Sequence, residues 1–343
     1  MVHNMAQKQG ANGMTLVELM VAVAVTGVVM TLSLSIFFGQ FKSYKRGQAT
    51  KAIQETSNGC LDLLKRDLAQ AGWSVKPEMS FFFQDGGASG SDQIYLNDTT
   101  LIDLIYDNND TRYARKRTLM TQGNGCGGCA EIKAGSGTAN VTVSSVQFST
   151  QFSTGLVGCS TNQLDIDCDI NAESDFKPSL THYVISDLTG AGNKIAKILT
   201  ITGNQLNLDR TASGSFLAPA VYYFVDATQN PPVLKRSDRS SGGAQPFAAN
   251  VVDLQVAYQD KSGTWYCSSA SAPCPMNPFD PRNITLIRVT LVTRSSDPIG
   301  VLNNPKYCQP TSVENRTVAA NTNCGYVYRT YSITVQPRNT SRQ

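Results

Sequence analysis

The sequence is poor in charged residues and in histidine. Lysine, arginine, aspartate and glutamate make up only 16% of the 343 residues, and the net charge is +3. So weak a bias gives no reason to expect nucleic acid or acidic partners. The two histidines are His3 and His182. A catalytic triad or dyad would have to use His182, which lies in a predicted strand without a G-x-S-x-G frame, so we do not expect an enzyme.

Proline is absent from the first part of the chain, and charge is absent from much of it. No proline occurs between Met14 and Lys76, so nothing interrupts a continuous helix there. The 23 residues that follow Glu18 carry no formal charge until Lys42. As a helix they would extend about 35 Å, enough to cross the hydrocarbon core of a bilayer. The sequence therefore predicts a membrane-spanning helix over residues 14–41, in which a lone acid is a functional candidate.

The residues around this acid form a specific motif. Gly13 precedes MTLVELMVAVAV, which begins at Met14 and has Glu18 as its fifth residue. The motif resembles the class III signal of type IV prepilins, although that family often has phenylalanine at the position of Met14. The resemblance implies that a prepilin peptidase removes residues 1–13 as a leader and that Met14 becomes an N-methylated terminus. A secretory signal would instead have a shorter apolar core with its cleavage site after it.

The residues after the span, 42–73, change to an amphipathic pattern. Residues at spacings of three and four predict one buried helix face: Ile53, Ser57, Cys60, Leu64, Leu68 and Ala71. We predict that Cys60 is a core thiol, with a reactive or cross-linking thiol as the alternative. The string RDLAQAGW, Arg66 to Trp73, resembles the helix end of PilW- and PulJ-like minor pilins, and Gly72 suits a helix C-cap.

The other eight cysteines form close pairs in the sequence: Cys126 with Cys129, Cys159 with Cys168, Cys267 with Cys274, and Cys308 with Cys324. An even set of neighbours in an exported chain predicts disulfides formed in an oxidising compartment. Spacing alone leaves the connectivity open, and nearest-neighbour bonds are the interpretation we favour.

Beyond Trp73 the sequence consists of short β-branched and apolar runs separated by turns. The predicted strands are Gln93–Leu96, Leu101–Tyr106, Asn140–Phe148, His182–Ser186, Lys194–Ile201, Val221–Val225, Val251–Tyr258, Ile284–Thr293 and Tyr326–Val335. Within Val251–Tyr258, strict alternation predicts one buried face. The glycine-rich segment 84–92 is predicted to be a flexible loop. We predict an α+β fold, with the N-terminal helix packed on an antiparallel β-rich domain, 74–343, that has disulfide-stapled loops.

The C-terminal part extends the family resemblance. The strings VYYFVD at 221–226, NVVDLQVAYQD at 250–260, IRVTLVTRS at 287–295 and YSITVQPRN at 331–339 are similar to the C-terminal half of PilW-type pilus assembly proteins. Residues 80–180 do not share this resemblance, and we interpret them as an elaborated region of the domain.

Three local patterns suggest ligand chemistry but lack its context. Residues 123–128 satisfy G-x-G-x-x-G without the flanking strand and helix of a dinucleotide site. Cys126 and Cys129 form a C-x-x-C without a thioredoxin-like βαβ pattern or a second pair for zinc. The alternating acids of 165–175 lack the glycine and the bidentate glutamate of a calcium loop, and 107–110 is a weaker candidate. We therefore predict no metal, cofactor or catalytic residue.

The resemblance implies a minor pilin that takes part in type IV pilus assembly or initiation, with prepilin peptidase and other minor and major pilins as partners. It implies an inner-membrane protein with a periplasmic C-terminal domain that later enters a pilus at the cell surface, in a system for adhesion and twitching motility. Glu18 would then be stabilised by the positive N-terminus of an adjacent subunit.

Two other functions and one other orientation stay open. The elaborated region could form an adhesive or ligand-binding tip module, and a J-type pseudopilin of type II secretion would share the N-terminal signal. Lys42, Lys45 and Arg46 follow the span directly, and the positive-inside rule would place them in the cytoplasm.

Overall fold

The computed structural model describes residues 15–73, 75–87, 89–98, 130–134, 140–144, 176, 178, 182–187, 194–202, 205–210, 216–238, 243–276, 278–298 and 305–340. The predicted strand Leu101–Tyr106 and the pairs Cys126/Cys129 and Cys159/Cys168 lie outside these residues. So do the glycine pattern and both calcium-loop candidates.

One long helix, α1, spans Leu16–Gln70 and contributes to both of the compact units into which the chain divides, Met1–Thr50 and Lys51–Gln343. In the first unit every described residue up to Gln48 is exposed. Among the described residues, α1 is long and apolar enough to cross a membrane.

In the second unit α1 buries one face in the core. All six residues predicted from the spacing are buried, so the amphipathic interpretation is confirmed. Two further residues, Leu61 and Asp67, are buried on the same face. Leu61 is next to Cys60, and Asp67 is three residues after Leu64, so both lie beside the predicted face and make the buried stripe wider.

After α1, the described residues form strands joined by turns and loops, with short 3-10 helices at Pro77–Met79, Pro281–Asn283 and Pro305–Tyr307. The strands are β1 Phe81–Gln84, β2 Gln93–Asn97, β3 Ala130–Ala134, β4 Asn140–Ser144, β5 Tyr183–Ser186, β6 Ile195–Thr202, β7 Gln205–Leu208, β8 Phe216–Asp226, β9 Val233–Ser237, β10 Gln245–Ala249, β11 Val251–Asp260, β12 Trp265–Tyr266, β13 Ile284–Arg294, β14 Ser312–Val313, β15 Arg316–Thr317 and β16 Tyr328–Val335. Each predicted strand that falls on described residues overlaps one of these. The predicted α+β fold is confirmed.

The larger sheet is organised around β8. This 11-residue strand pairs antiparallel with β2 and β9 near its end and with β3 and β5 near its start. The pairings from β8 through β3, β4, β7, β6 and β5 return to β8, so these strands close a ring. The ring has a hydrophobic cluster separate from that of α1, formed by Phe176, Val184, Ala196, Ile198, Leu206, Leu208 and Leu217.

The smaller sheet has the order β12-β11-β13-β16 and shares a core with α1. The alternation in β11 predicts one buried face, and the structure confirms that face but buries the opposite face as well. Leu254 and Val256 are buried as predicted, yet Asp253 and Gln255 on the opposite face are only 1% and 0% exposed. The second face is therefore covered as well.

The cover over β11 is the segment that carries the hairpin β14–β15. Arg316 Nη1 lies 2.6 Å from Asp253 Oδ2, and the Glu314 carboxylate receives two hydrogen bonds from Arg288 on β13, at 2.8 and 2.6 Å. A disulfide between Cys308 and Cys324 encloses this hairpin. Paired charges thus take the place of apolar residues on the covered face, as burial of charge requires.

Removing this disulfide is expected to destabilise the domain. The two cysteines are 16 residues apart, and opening a loop of that size costs about 3 kcal/mol. In a domain of this size that lowers Tm by roughly 6–12 °C in calorimetry of the Cys308→Ser/Cys324→Ser variant. The matched variant Cys267→Ser/Cys274→Ser opens a loop of separation 7 and should lose less. An unchanged Tm in the first variant would contradict the stapling role.

The glycine-rich segment predicted to be flexible is anchored by Asp92. This side chain is 2% exposed, and its two carboxylate oxygens accept the backbone N–H of Gly86 at 2.9 Å and of Val256 at 2.7 Å. The glycine is required because a Cβ on Gly86 would overlap the carbonyl oxygen of Ser91. Burial, with the nearby carboxylates of Asp85 and Asp253, raises the pKa of Asp92 to about 7.

The raised pKa of Asp92 predicts a stability that depends on pH. The folded chain holds a proton up to about pH 7, whereas the unfolded chain releases it at about pH 4. This group's contribution is therefore complete below about pH 4 and is lost as the pH rises through 7. Asp92→Asn should flatten the fall in Tm from about pH 5 to about pH 8, while lowering Tm throughout because an amide cannot accept both N–H groups. Parallel Tm profiles for the variant and the wild type would refute this assignment.

Candidate functional site

The first turn of α1 is closed by a reciprocal cap between Thr15 and Glu18. The Glu18 Oε2 atom accepts the backbone N–H of Thr15 at 2.9 Å and its hydroxyl at 2.9 Å, and the Glu18 N–H donates to Thr15 Oγ1 at 3.3 Å. This is a capping box, which satisfies N–H groups that a helix start otherwise leaves without partners. The sequence motif did not suggest this local role for Glu18. The T-x-x-E spacing could have done so.

The cap satisfies hydrogen bonds at Glu18 but supplies no positive side chain. Within residues 15–50 the nearest cation in the sequence is Lys42, and no salt bridge joins Glu18 to another described residue. A carboxylate at the start of an apolar span is costly in lipid unless it pairs with a cation or faces a water-filled cavity. The assembly role predicted for Glu18 requires a positive group from outside the described residues, and the resemblance assigns it to an adjacent subunit. Gly13 and Met14 lie outside the described residues.

The span itself exposes a continuous apolar surface. Large side chains remain open from Leu16, 73% exposed, to Phe41, 45% exposed. Within the span, the hydroxyl of Thr31 donates to the carbonyl of Gly27 at 2.8 Å. This hydrogen bond satisfies the hydroxyl donor without a water molecule. An apolar surface of this extent has to be covered by lipid or by other helices.

The second half of α1 is held in its domain by a buried polar cluster that the sequence analysis missed. The Tyr223 hydroxyl donates to Asp67 Oδ2 at 2.5 Å, and Arg236 Nε donates to Tyr223 at 2.9 Å and lies 3.6 Å from Asp67. Arg236 also pairs with Asp238. Burial and the Asp67 carboxylate raise the pKa of Tyr223 well above its ordinary value, so its hydroxyl stays protonated as the donor. The sequence does contain a signal for this cluster, because Asp67 lies on the buried face of α1. A buried acid is almost always paired with another polar group.

The C-terminal end of α1 is capped by residues distant in the chain. Gly72 has φ +85°, as a helix C-cap requires, and its N–H donates to Asn97 Oδ1 at 2.7 Å. The Asn339 side chain donates to the carbonyls of Gln70 at 3.1 Å and Ala71 at 3.3 Å. Both ends of α1 are thus satisfied by side chains.

The other side chains considered as candidate site residues are buried or disulfide-bonded within the domain. Cys60 is a free thiol that is 4% exposed, and burial raises its pKa to about 12, which disfavours the reactive thiolate. Cys267 is bonded to Cys274 and Cys308 to Cys324, the pairs that are nearest in sequence. His182 is buried, and the described part of the chain contains no group of three potential metal ligands.

Family comparisons match the two ends of the chain. Residues 8–34 match the prokaryotic N-terminal methylation motif, which includes Gly13, Met14 and Glu18. Residues 221–339 match the family of the type IV pilus-assembly protein W, PilW. Together the two matches support a PilW-like minor pilin of a type IV pilus. The PilW match covers the whole smaller sheet together with Tyr223 and Arg236. The partners of Asp67 in α1 therefore belong to the PilW-like part.

Other comparisons are more distant. A solved type IV-like pilin from Thermus thermophilus is similar at 17% identity, over 48% of this minor pilin and 87% of that chain, with a TM-score of 0.23. No curated protein matches significantly. Both family matches are to structural pilin families rather than to enzymes, and the methylation motif implies processing by prepilin peptidase and assembly with pilins.

Proposed function

We propose that this minor pilin is inserted into the inner membrane by α1, with its β-rich domain in the periplasm. Prepilin peptidase then cuts after Gly13, and Met14 becomes an N-methylated terminus. The processed subunit joins other minor and major pilins in a type IV pilus or in the complex that initiates one. The match of residues 8–34 to the methylation motif supports this order of events.

The observation that carries the proposal is an exposed apolar helix with a single acid at its start. Lipid covers the apolar surface before assembly, and the helices of neighbouring subunits replace the lipid afterwards. Cleavage creates a new N-terminal amine one residue before Thr15. In a packed filament the same amine of a neighbouring subunit is a cation that can approach Glu18 from outside its own chain.

Intact-mass measurement and N-terminal sequencing of the full chain test the proposal. We expect a protein that begins at methylated Met14, found both in membranes and in sheared pili, and that gains about eight protons on reduction if all four cysteine pairs are bonded. A chain that retains Met1 with all thiols free would place the domain in a reducing compartment and refute the route.

A second candidate function is surface binding by the ring of strands around β8. The ring has its own hydrophobic cluster, and its strands β3 and β4 come from the elaborated region. Deleting residues 159–175 should then abolish binding of pili to a surface and leave piliation unchanged. Segment 84–92 is unsuitable for such a deletion because Asp92 anchors it to β11. Loss of piliation in the first deletion would show an architectural role instead.

A further inference from the structure

The end of the apolar span carries a group of aromatic and basic residues, which we call the collar. Its members are Phe38, Phe41, Lys42, Tyr44, Lys45 and Arg46. The basic residues begin at the first position after Phe41, with no polar spacer. No acidic residue occurs between Glu18 and Glu55. The collar is therefore positive throughout and directly continuous with the span.

Helical geometry places the basic residues of the collar together. Positions 42, 45 and 46 are three and four residues apart, so they share one face of α1. On the same face, Lys45 Nζ lies 4.8 Å from the centre of the Phe41 ring. Phe38 and Tyr44 are 57% and 62% exposed, and the Tyr44 hydroxyl accepts a hydrogen bond from Gln48 at 2.6 Å. The collar thus presents the rings of Phe38 and Phe41 on the side of the span, whereas Tyr44 lies among the cationic groups that follow.

This arrangement has the chemistry of a membrane interface. Aromatic side chains are favoured at the level of the headgroups, and lysine can lay its alkyl stem along apolar surface while its ammonium group reaches water. Positive residues next to a span are attracted to anionic headgroups. Farther along α1 the next cation, Lys51, already has a partner, since its Nζ lies 3.8 Å from Glu55. Residues 51–70 carry three basic and three acidic side chains, so the positive excess of α1 lies in the turn that leaves the membrane.

We propose that the collar binds the phosphate groups of anionic phospholipids and so holds the subunit at a fixed depth before assembly. This inference rests on the membrane insertion proposed above and is independent of pilus incorporation. The occupant is a lipid rather than an acidic protein because Lys42 directly follows the span, at the level where phosphates lie. Phe38 and Phe41, on the membrane side of both lysines, fit the same occupant.

The test uses the full-length protein in nanodiscs of equimolar phosphatidylglycerol and phosphatidylethanolamine, with retained lipids counted by native mass spectrometry. We compare Lys42→Gln/Lys45→Gln with the control Lys51→Gln/Lys65→Gln, which removes the same charge from exposed positions farther along α1. Each basic residue near an anionic surface strengthens association about fivefold, so we expect the phosphatidylglycerol enrichment of the wild type to fall at least about fivefold in the collar variant. The control should retain it.

A salt series on the wild type gives a second measurement that needs no substitution. Enrichment should decline as the salt rises towards about 0.5 M, because screening weakens contacts between exposed charges. Absence of enrichment in the wild type, or an equal loss in both variants, would overturn the proposal. So would a collar variant that keeps its lipid but loses cross-links to neighbouring pilins, since the collar would then face protein. Normal enrichment in a protein that never enters pili would refute only the assembly step.

Discussion

Glu18→Ala is expected to be processed normally after Gly13 but to enter pili at least about tenfold less than the wild type, because an ion pair in a low-dielectric setting is lost. The structure gives a second reason for a defect. The same substitution removes the carboxylate that accepts two hydrogen bonds from Thr15 at the start of α1. Immunoblots of membrane and sheared-pilus fractions, with N-terminal sequencing, measure both steps.

Two matched variants separate the charge of Glu18 from its capping role. Glu18→Gln keeps an acceptor suited to a capping box but carries no charge. Thr15→Val removes the hydroxyl and keeps the charge. If pairing with a neighbouring subunit is the essential role, Glu18→Gln should fail like Glu18→Ala, and Thr15→Val should assemble. The reverse pattern would show that Glu18 acts by capping its own helix. Normal incorporation of Glu18→Ala would show that neither role is needed for assembly.

The features predicted well from the sequence are those that depend on neighbouring residues. The buried face of α1 follows from a spacing of three and four residues, and all six predicted positions are buried. The strands β11, β13 and β16 follow from short β-branched runs between turns. The prepilin motif likewise lies within a few residues of Glu18. Each of these is a local pattern that the chain shows in any context.

The features that the sequence could not predict depend on distant pairings. Tyr223 is 156 residues from Asp67, and Asn339 is 268 residues from Ala71. The second buried face of β11 exists because Arg316 is brought over Asp253 by a hairpin 63 residues farther along. The alternation in β11 predicts one buried face correctly. It cannot show that the other face is buried, because the residues that cover that face belong to another segment.

The Asp67 cluster also governs the largest stability effect that we expect. Asp67→Ala leaves the Tyr223 hydroxyl without its acceptor and removes one of two carboxylates near Arg236. Breaking a buried charge cluster by removing one partner costs 3–5 kcal/mol, and because Arg236 stays partly exposed and keeps Asp238 we expect about 2–4 kcal/mol. That corresponds to a Tm lower by roughly 5–15 °C in calorimetry.

Three comparisons make this expectation specific to the cluster. Asp62→Ala removes an exposed acid from the same helix and should change stability by less than about 0.5 kcal/mol. Tyr223→Phe should cost about 1–3 kcal/mol, because Asp67 then loses its best donor. The double variant Asp67→Ala/Tyr223→Phe should lose less than the sum of the single losses, since both remove the same hydrogen bond. Additive losses would mean that the two residues stabilise the domain separately, and no loss in either single variant would mean that α1 is held by its apolar stripe alone.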